Sequence, residues 1–381
     1  MKIAILGFGV VGSGAYEVLK NAGYTVSRVL DIRKHPELGD VSTTDFNDII
    51  NDKEIDIVVE AIGGLEPAHT FLTKAIKAGK HVVTSNKYFV CTYYDEIHRL
   101  AKENGVTVRF SASAGGGIPW LYNLRRATRC DTITKVFGIM NGTTNYIVDA
   151  MITDSRDFDE VLREAQQLGY AEADPTADID GLDVARKTAI SATIAFGGEI
   201  EEKDVFTFSL RNIKKRDIEY IENKLSSSIR YLGCAERFGD KFAACVMPMI
   251  LGNDSIFLCV KKNNNMISLV GENVGQLSFF GQGAGKYPTG TAIAQDVIDI
   301  VNGDLSLNLP CEALCADNSF DERQYYVRTV ADFPSDLIER IETVDNEKYI
   351  ITKYIKLSEM YKISADILKK DGECFLAGIE R

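Results

Sequence analysis

Apolar positions in the first 110 residues switch between two periods. Short runs rich in Ile and Val at 2–9, 25–31, 54–64, 81–86 and 106–110 read as strands. Between them, 10–23, 66–80 and 92–104 carry the spacing of amphipathic helices, with Pro67 at a first-turn position. Strands and helices in alternation predict a parallel sheet covered by helices on both faces.

The glycine cluster at 113–120 marks a first domain edge. A strand over 134–140 and helices near 143–151, 157–168 and 181–196 follow. From 229 to 281, alternating runs such as FAACVMP, SIFLCV and MISLV, split by Gly and Asn, read as an antiparallel sheet. A glycine loop leads into a helix within 281–303, and 324–381 hold a strand–helix–strand pattern. The predicted class is α/β, with a doubly wound parallel sheet in 1–130 to which 284–315 return. An α+β substrate-binding and dimerisation domain with a mixed or antiparallel sheet is expected over 131–283, and a small extension over 316–381.

Composition narrows the function. Length alone allows two or three domains, since 381 residues divide into units of roughly 150. The formal charge of −12 argues against binding to nucleic acid or to anionic lipid. No apolar run approaches the ~18 residues of a membrane span, and one Lys before IAILGFG makes no secretory signal. The eight Cys contain no C-x-x-C, and the closest pair is Cys311 and Cys315, a pattern that fits reduced thiols in a cytoplasmic protein. All four histidines (His35, His69, His81 and His98) lie within the first 98 residues of the chain. Acid–base chemistry further along therefore needs another donor.

Gly7-Phe8-Gly9-Val10-Val11-Gly12 matches G-x-G-x-x-G directly after a strand and at the start of a helix. There Gly7 permits the turn, Gly9 lets backbone approach a pyrophosphate, and Gly12 allows close packing of helix on strand. The context points to a Rossmann-type site for NAD(P), with Val10 and Val11 on the cofactor side. Asp31, at the end of the second strand, suits a ribose 2′-hydroxyl, whereas Arg33 and Lys34 suit a 2′-phosphate, so the cofactor is read as NAD(P).

The segment LGYAEADPTADIDGLDVARK (168–187) gathers Glu172, Asp174, Asp178, Asp180 and Asp183 ahead of Arg186 and Lys187. Two readings compete. Asp180 and Asp183 satisfy a helix capping box, with Asp183 pairing Lys187 at i,i+4. Alternatively, that many carboxylates in a loop repel one another unless a cation sits among them, and a nearby lysine is a tunable proton donor. Lys87, after the strand 81–84, stands at the carboxyl end of a parallel strand, where such sheets bind ligands.

Together these segments resemble homoserine dehydrogenase. Ala165 to Lys187 fits that family's A-x-x-x-G-[aromatic]-x-x-x-D-P-x-x-D-[aliphatic]-x-G-x-D-x-x-x-K signature at every fixed position. TSNK (84–87), GIMNGTTNYI (138–147) and GQGAGKYPTG (281–290) are similar to three further family segments, so the likeness spans about 1–303. The resemblance implies NAD(P)-linked interconversion of L-aspartate 4-semialdehyde and L-homoserine, on the route to threonine, methionine and isoleucine. It implies Lys87 and Lys187 as catalytic lysines, and Glu172 and Asp183 as holders of the substrate ammonium. Asp178, Thr143 and the Tyr170 backbone would complete that pocket, with Asn86 beside the nicotinamide and Gly285 also at the cofactor.

The family also implies a homodimer and a monovalent cation, Na⁺, held by backbone carbonyls of Ala114, Gly116 and Ile118. Two departures stand out: Ser111 replaces the family's Glu before this turn, and Trp120 replaces an aliphatic residue. Residues 324–341 resemble the opening of an ACT regulatory domain without its usual glycine. A related oxidoreductase acting on another amino aldehyde, and a non-catalytic paralogue that binds nucleotide and amino acid, remain as alternative readings.

Overall fold

The chain is described by a computed structural model that covers residues 1–305 and 314–380. Cys311 of the predicted closest cysteine pair lies outside the described residues. The chain divides into two compact units. The first is Met1–Cys130 with Gly197–Glu201 and Gly281–Glu312, and the second is Asp131–Phe196 with Glu202–Phe280 and Ala313–Arg381.

In the first unit, β1 (Lys2–Leu6), β2 (Val26–Leu30), β3 (Ser42–Thr43), β4 (Ile55–Glu60), β5 (His81–Thr84) and β6 (Val108–Arg109) form one parallel sheet in the order β3-β2-β1-β4-β5-β6. That order reverses at β1, which is the Rossmann topology. Continuous apolar runs explain the parallel pairing: Ile57, Val58 and Val59 of β4 are all fully buried, as expected where helices cover both faces. The helices are α1 (Val10–Asn21), α2 (Asn47–Ile50), α3 (Ala68–Lys77), α4 (Lys87–Asn104) and α5 (Trp120–Ala127). Helix α4 starts five residues before the expected 92, because its first turn, Lys-Tyr-Phe-Val, has no helical spacing of its own. The Asn86 side chain sets that start by accepting from the Phe89 N–H at 3.1 Å.

In the second unit the chain forms β7 (Ile133–Ile139), α6 (Gly142–Thr153), α7 (Phe158–Gln167), α8 (Thr176–Ile179), α9 (Leu182–Phe196), β8 (Phe206–Thr207) and α10 (Lys215–Leu225). Strands β9 (Ser227–Phe238), β10 (Lys241–Gly252), β11 (Asn264–Gly271) and β12 (Gly275–Gln282) come next. The expected strand SIFLCV is instead a 3-10 turn over Ile256–Cys259. Its inward residues, Phe257 and Val260, fall three apart, so they serve the 3-10 period and not the strand period of two.

The chain then returns to the first unit as α11 (Lys286–Val301), whose Ile293, Val297 and Ile300 join Ile3, Ile5, Ala15, Leu19 and Val29 in one core. Helices α1 and α11 cross at two glycines. A Cβ on Gly14 would lie 2.2 Å from the Lys286 carbonyl oxygen, and one on Gly290 would lie 2.7 Å from the Ala15 nitrogen.

Residues 314–380 add β13 (Cys315–Ala316), β14 (Glu322–Arg323), β15 (Tyr325–Thr329), β16 (Ile338–Val344), β17 (Glu347–Thr352), β18 (Ile355–Lys356), α12 (Leu357–Leu368) and β19 (Phe375–Ile379). They continue the second unit's sheet in the order β12-β11-β7-β9-β10-β19-β15-β17-β16. The sheet is mixed, since β10 pairs β9 antiparallel and β19 parallel. A buried network ties this part to α10: Asp217 accepts from Arg328 Nε at 2.8 Å and from the Tyr326 hydroxyl at 2.7 Å.

The glycine crossing is testable. Gly14→Val forces a side chain into the backbone of α11 and should destabilise the chain by about 1–3 kcal/mol, read as a lowered urea midpoint. An unchanged midpoint would show that the two helices can separate freely.

Candidate functional site

The dinucleotide loop is built by steric exclusion around Gly7 and Gly12 and by open space at Gly9. Gly7 has φ +91°, and a Cβ there would lie 2.8 Å from the Ala61 carbonyl oxygen. A Cβ on Gly12 would lie 1.9 Å from the Gly7 carbonyl oxygen. On Gly9 it would meet nothing within 4 Å, which leaves the N-terminal amides of α1 approachable by a phosphate. Val10 at the first position of α1 is exposed and Val11 half-buried.

Asp31 faces this loop. Its carboxylate accepts from the Phe8 N–H and the Ile32 N–H, both at 2.7 Å, and lies 3.5 Å from His35 Nε2. Burial pushes the Asp31 carboxyl up, but these amides and His35 outweigh it and hold it below the usual carboxylate range. Arg33 and Lys34 are exposed two and three residues further on. Gly285, with φ +128°, caps α11, and Glu17 of α1 binds Lys286 Nζ at 2.8 Å and the Tyr287 hydroxyl at 2.9 Å. The second glycine loop is thereby held against α1, which the linear sequence does not show.

At the carboxyl ends of β4 and β5, Glu60 accepts from the Ile62 and Gly63 amides at 2.8 and 2.9 Å and from the Thr84 hydroxyl. Asn86 donates to the Gly64 carbonyl at 2.6 Å while capping α4. Lys87 is the first residue of α4, a place where the helix dipole opposes a positive charge.

Ser111 brings no carboxylate of its own to the turn that follows β6, but it binds one. Its N–H and its hydroxyl each donate at 2.7 Å to Asp296 of α11. Full burial raises the Asp296 carboxyl to about 6, against the pull of the Ser111 bonds and of Arg109. In the turn itself the Ile118 carbonyl accepts from the Trp120 N–H at 2.7 Å. The Ala114 and Gly116 carbonyls accept no backbone hydrogen bond among the described residues. Trp120 is fully buried at the start of α5.

The second unit holds a compact charged cluster at the starts of α6 and α9. Lys187 Nζ donates to the Met140 carbonyl at 2.7 Å and to Asp183 at 2.8 Å. The Asn141 amide nitrogen donates to Asp178 at 2.7 Å and to Asp183 at 2.8 Å. Thr143 donates to the Tyr170 carbonyl at 2.6 Å, and the Tyr170 ring meets Tyr146 edge-on at 5.1 Å. Burial and the neighbouring Asp183 push the Asp178 carboxyl up, while Asn141, Lys187 and Thr143 pull it down.

The structure therefore brings Lys187, Asp183, Asp178, Thr143 and the Tyr170 backbone together. Glu172 is exposed, and its side chain makes no hydrogen bond to this cluster among the described residues. The crowding of five carboxylates is relieved one by one. Asp180 pairs with Arg211 at 2.8 Å and accepts from Ser209 at 2.7 Å, and Asp174 accepts from the Thr176 N–H at 3.1 Å. The capping-box reading put Asp180 at the N-cap; Gly181 instead stands directly before α9, its carbonyl accepting from the Ala185 N–H at 2.8 Å, while the Asp183–Lys187 pair of that reading is present. Asn141 was not among the expected site residues. Its signal was its place at the start of GTTN, one residue before a helix, where Asn commonly caps.

A parallel sheet in Rossmann order, a glycine turn at the first helix and a buried lysine–carboxylate cluster define an NAD(P)-dependent oxidoreductase. Residues 7–111 match the family profile described as "Homoserine dehydrogenase, NAD binding domain", and 119–298 match that of "Homoserine dehydrogenase". The chain is 38% identical over 316 residues to the homoserine dehydrogenase of Bacillus subtilis (strain 168), covering 79% of this chain and 73% of that protein. It is 34% identical over 384 residues to that of Pseudomonas aeruginosa, covering 94% and 88%. The crystal structure of a homoserine dehydrogenase from Thiobacillus denitrificans superposes with a TM-score of 0.87 at 31% identity, covering 100% of this chain and 98% of that one. The chain belongs to the homoserine dehydrogenase family.

Asp296 gives a pH signature. Its folded value of about 6 exceeds the ordinary 3.8, so between pH 4 and 6 the folded chain keeps a proton that the unfolded chain has lost. Stability from this group thus falls as pH rises through that window. Asp296→Asn should remove that fall, by about 3 kcal/mol at most, in melting curves taken from pH 4 to 7. Parallel curves for variant and wild type would refute the assignment.

Proposed function

We propose that this chain interconverts L-aspartate 4-semialdehyde and L-homoserine in the cytoplasm, with the residues of the two glycine loops holding NAD(P). The observation that carries the reading is the buried Lys187–Asp183 pair with the half-buried Asp178 beside it, a cation and two carboxylates that no surface role explains. Bound NAD(P)H supplies the hydride that reduces the aldehyde carbon. Gly9 leaves the space that a pyrophosphate needs at the N-terminus of α1.

Lys187 spends two of its three N–H donors on Met140 and Asp183, leaving the third for the substrate oxygen that gains charge. Asp183 keeps this ammonium aligned, and Lys87 supplies the second catalytic lysine. Asp178 and Asp183 provide counter-charge for the substrate's α-ammonium, with Thr143 holding the Tyr170 backbone beside them. Glu172, exposed on the same loop, joins Asp183 in holding that ammonium. Asn86, fixed at both ends of its amide, lines the nicotinamide side.

The carbonyls of Ala114, Gly116 and Ile118 form the set for a monovalent cation, supported by the two that accept no backbone bond among the described residues. The β7, β9 and β10 face, with a hollow of about 690 Å³ lined by Lys135, Cys234, Met247 and Arg323, is the surface for a homodimer. The run β15, turn, β16, β17, α12 and β19, with the short β18 pairing β14 outside it, is a partial ACT-like unit whose first helix is reduced to one 3-10 turn, Ser335–Leu337.

The test is an absorbance assay at the nicotinamide band with homoserine and each oxidised cofactor, with and without added sodium or potassium. Lys187→Ala and Lys87→Ala should each lower kcat by ~10²-fold or more while cofactor affinity is nearly kept. Near-wild-type turnover in either variant removes that lysine from the mechanism. In the same assay, Arg33→Ala should raise KM for NADP⁺ and leave that for NAD⁺ unchanged, since only a 2′-phosphate needs the guanidinium. Equal effects on both cofactors would place Arg33 outside the ribose pocket.

A further inference from the structure

We propose that Asn141 is a positioning residue whose amide holds Asp178 and Asp183 together as an ionised pair, and so sets the preference of the site for a substrate bearing an ammonium group. The inference rests on the reaction proposed above and adds to it a residue that touches neither cofactor nor reacting atoms. Both N–H donors of the Asn141 side chain are committed, one to Asp178 at 2.7 Å and one to Asp183 at 2.8 Å. Its oxygen accepts from the Thr144 N–H at 2.8 Å and the Thr144 hydroxyl at 3.1 Å. The amide therefore has one orientation, because a flip would set its oxygen against two carboxylates and its nitrogen against a backbone donor.

The residue is only 5% exposed, so water cannot replace these bonds easily. The peptide just before it supplies the Met140 carbonyl that pins Lys187. One short segment thus fixes all three charges.

Two carboxylates this close do not both ionise unless something holds the second charge. The groups facing Asp178 are Asp183 and Lys187 from α9, and Asn141 and Thr143 at the start of α6. Burial and Asp183 drive its carboxyl up, and Asn141 is the largest of the influences that oppose them. With both carboxylates ionised, Lys187 neutralises one and the other is left for the substrate ammonium. If Asp178 takes up a proton, that counter-charge is gone.

The test is Asn141→Ser, which keeps a side-chain acceptor for the α6 cap while removing both N–H donors and leaving one hydroxyl on a shorter side chain. Asn141→Asp, which also keeps the cap and adds a third carboxylate, serves as the second variant. Asn141→Ser should move the acid limb of kcat/KM up by about one pH unit, so that KM for homoserine rises by up to roughly 10-fold at pH values below the wild-type limb, with kcat changed far less. The gap should close at high pH, where the pair ionises again. Asn141→Asp should move the limb at least as far.

Carboxyl-carbon NMR of aspartate-labelled protein without substrate reads the same effect directly, with Asp178 titrating at higher pH in both variants than in the wild type. A wild-type titration in both variants would overturn the proposal. So would a uniform loss of kcat, with a lowered melting temperature and an unmoved acid limb. A wild-type chain inactive on homoserine would instead sink the reaction proposed above, and the carboxyl titration would still decide the clamp.

Discussion

The burial of a lysine against a carboxylate is a constraint on which much of the second unit depends. Removing either charge from water is expensive, and the pair is tolerated only when its remaining hydrogen-bonding positions are filled. Lys187 and Asp183 are both more than nine-tenths buried on α9, a helix enclosed on nearly every side. Met140 and Asn141 must therefore arrive at one point at the end of β7, and α9 must lie close to the sheet. Glycines make that approach possible: a Cβ on Gly233 of β9 would lie 2.2 Å from the Thr188 hydroxyl, and one on Gly181 would lie 2.4 Å from the Tyr231 hydroxyl.

The same reasoning sorts the acidic loop. Five carboxylates between 172 and 183 suggested one shared cation, yet the fold gives most of them separate partners. Asp180 goes to an arginine, Asp174 to a local amide, and Glu172 to solvent, so that only Asp178 and Asp183 remain inside. Density of charge along a chain is a weak guide to density of charge in space, because a turn of helix between Pro175 and Gly181 points neighbouring residues in different directions. In the first unit the comparable economy is at Ser111, which lacks the carboxylate expected at its position yet binds one contributed by α11, far along the chain.

What could be read in advance followed from periodicity and from motif. Strands β1, β2, β4, β5 and β6, the glycine turn, and helices near 143–151, 157–168 and 181–196 all reflect local spacing and agree with the fold within a few residues. The departures differ in cause. The start of α4 depends on the Asn86 cap and that of α9 on the Gly181 carbonyl, local hydrogen bonds that hydrophobic spacing does not register. The turn at Ile256–Cys259 depends on where Phe257 and Val260 can be buried, which a window of sequence does not contain.

By itself the sequence determined the class of fold, the cofactor loop, the family, and the residue types able to do acid–base work once histidine was absent from the second unit. These depend on residue identity and spacing, which a linear chain states outright. Tertiary structure alone decided which carboxylates face Lys187, that Asn141 binds two of them, and that Asp296 meets Ser111. A hydrogen bond is short and directional, so its partners are known only when segments 37 to 185 residues apart have been brought within 3 Å of each other.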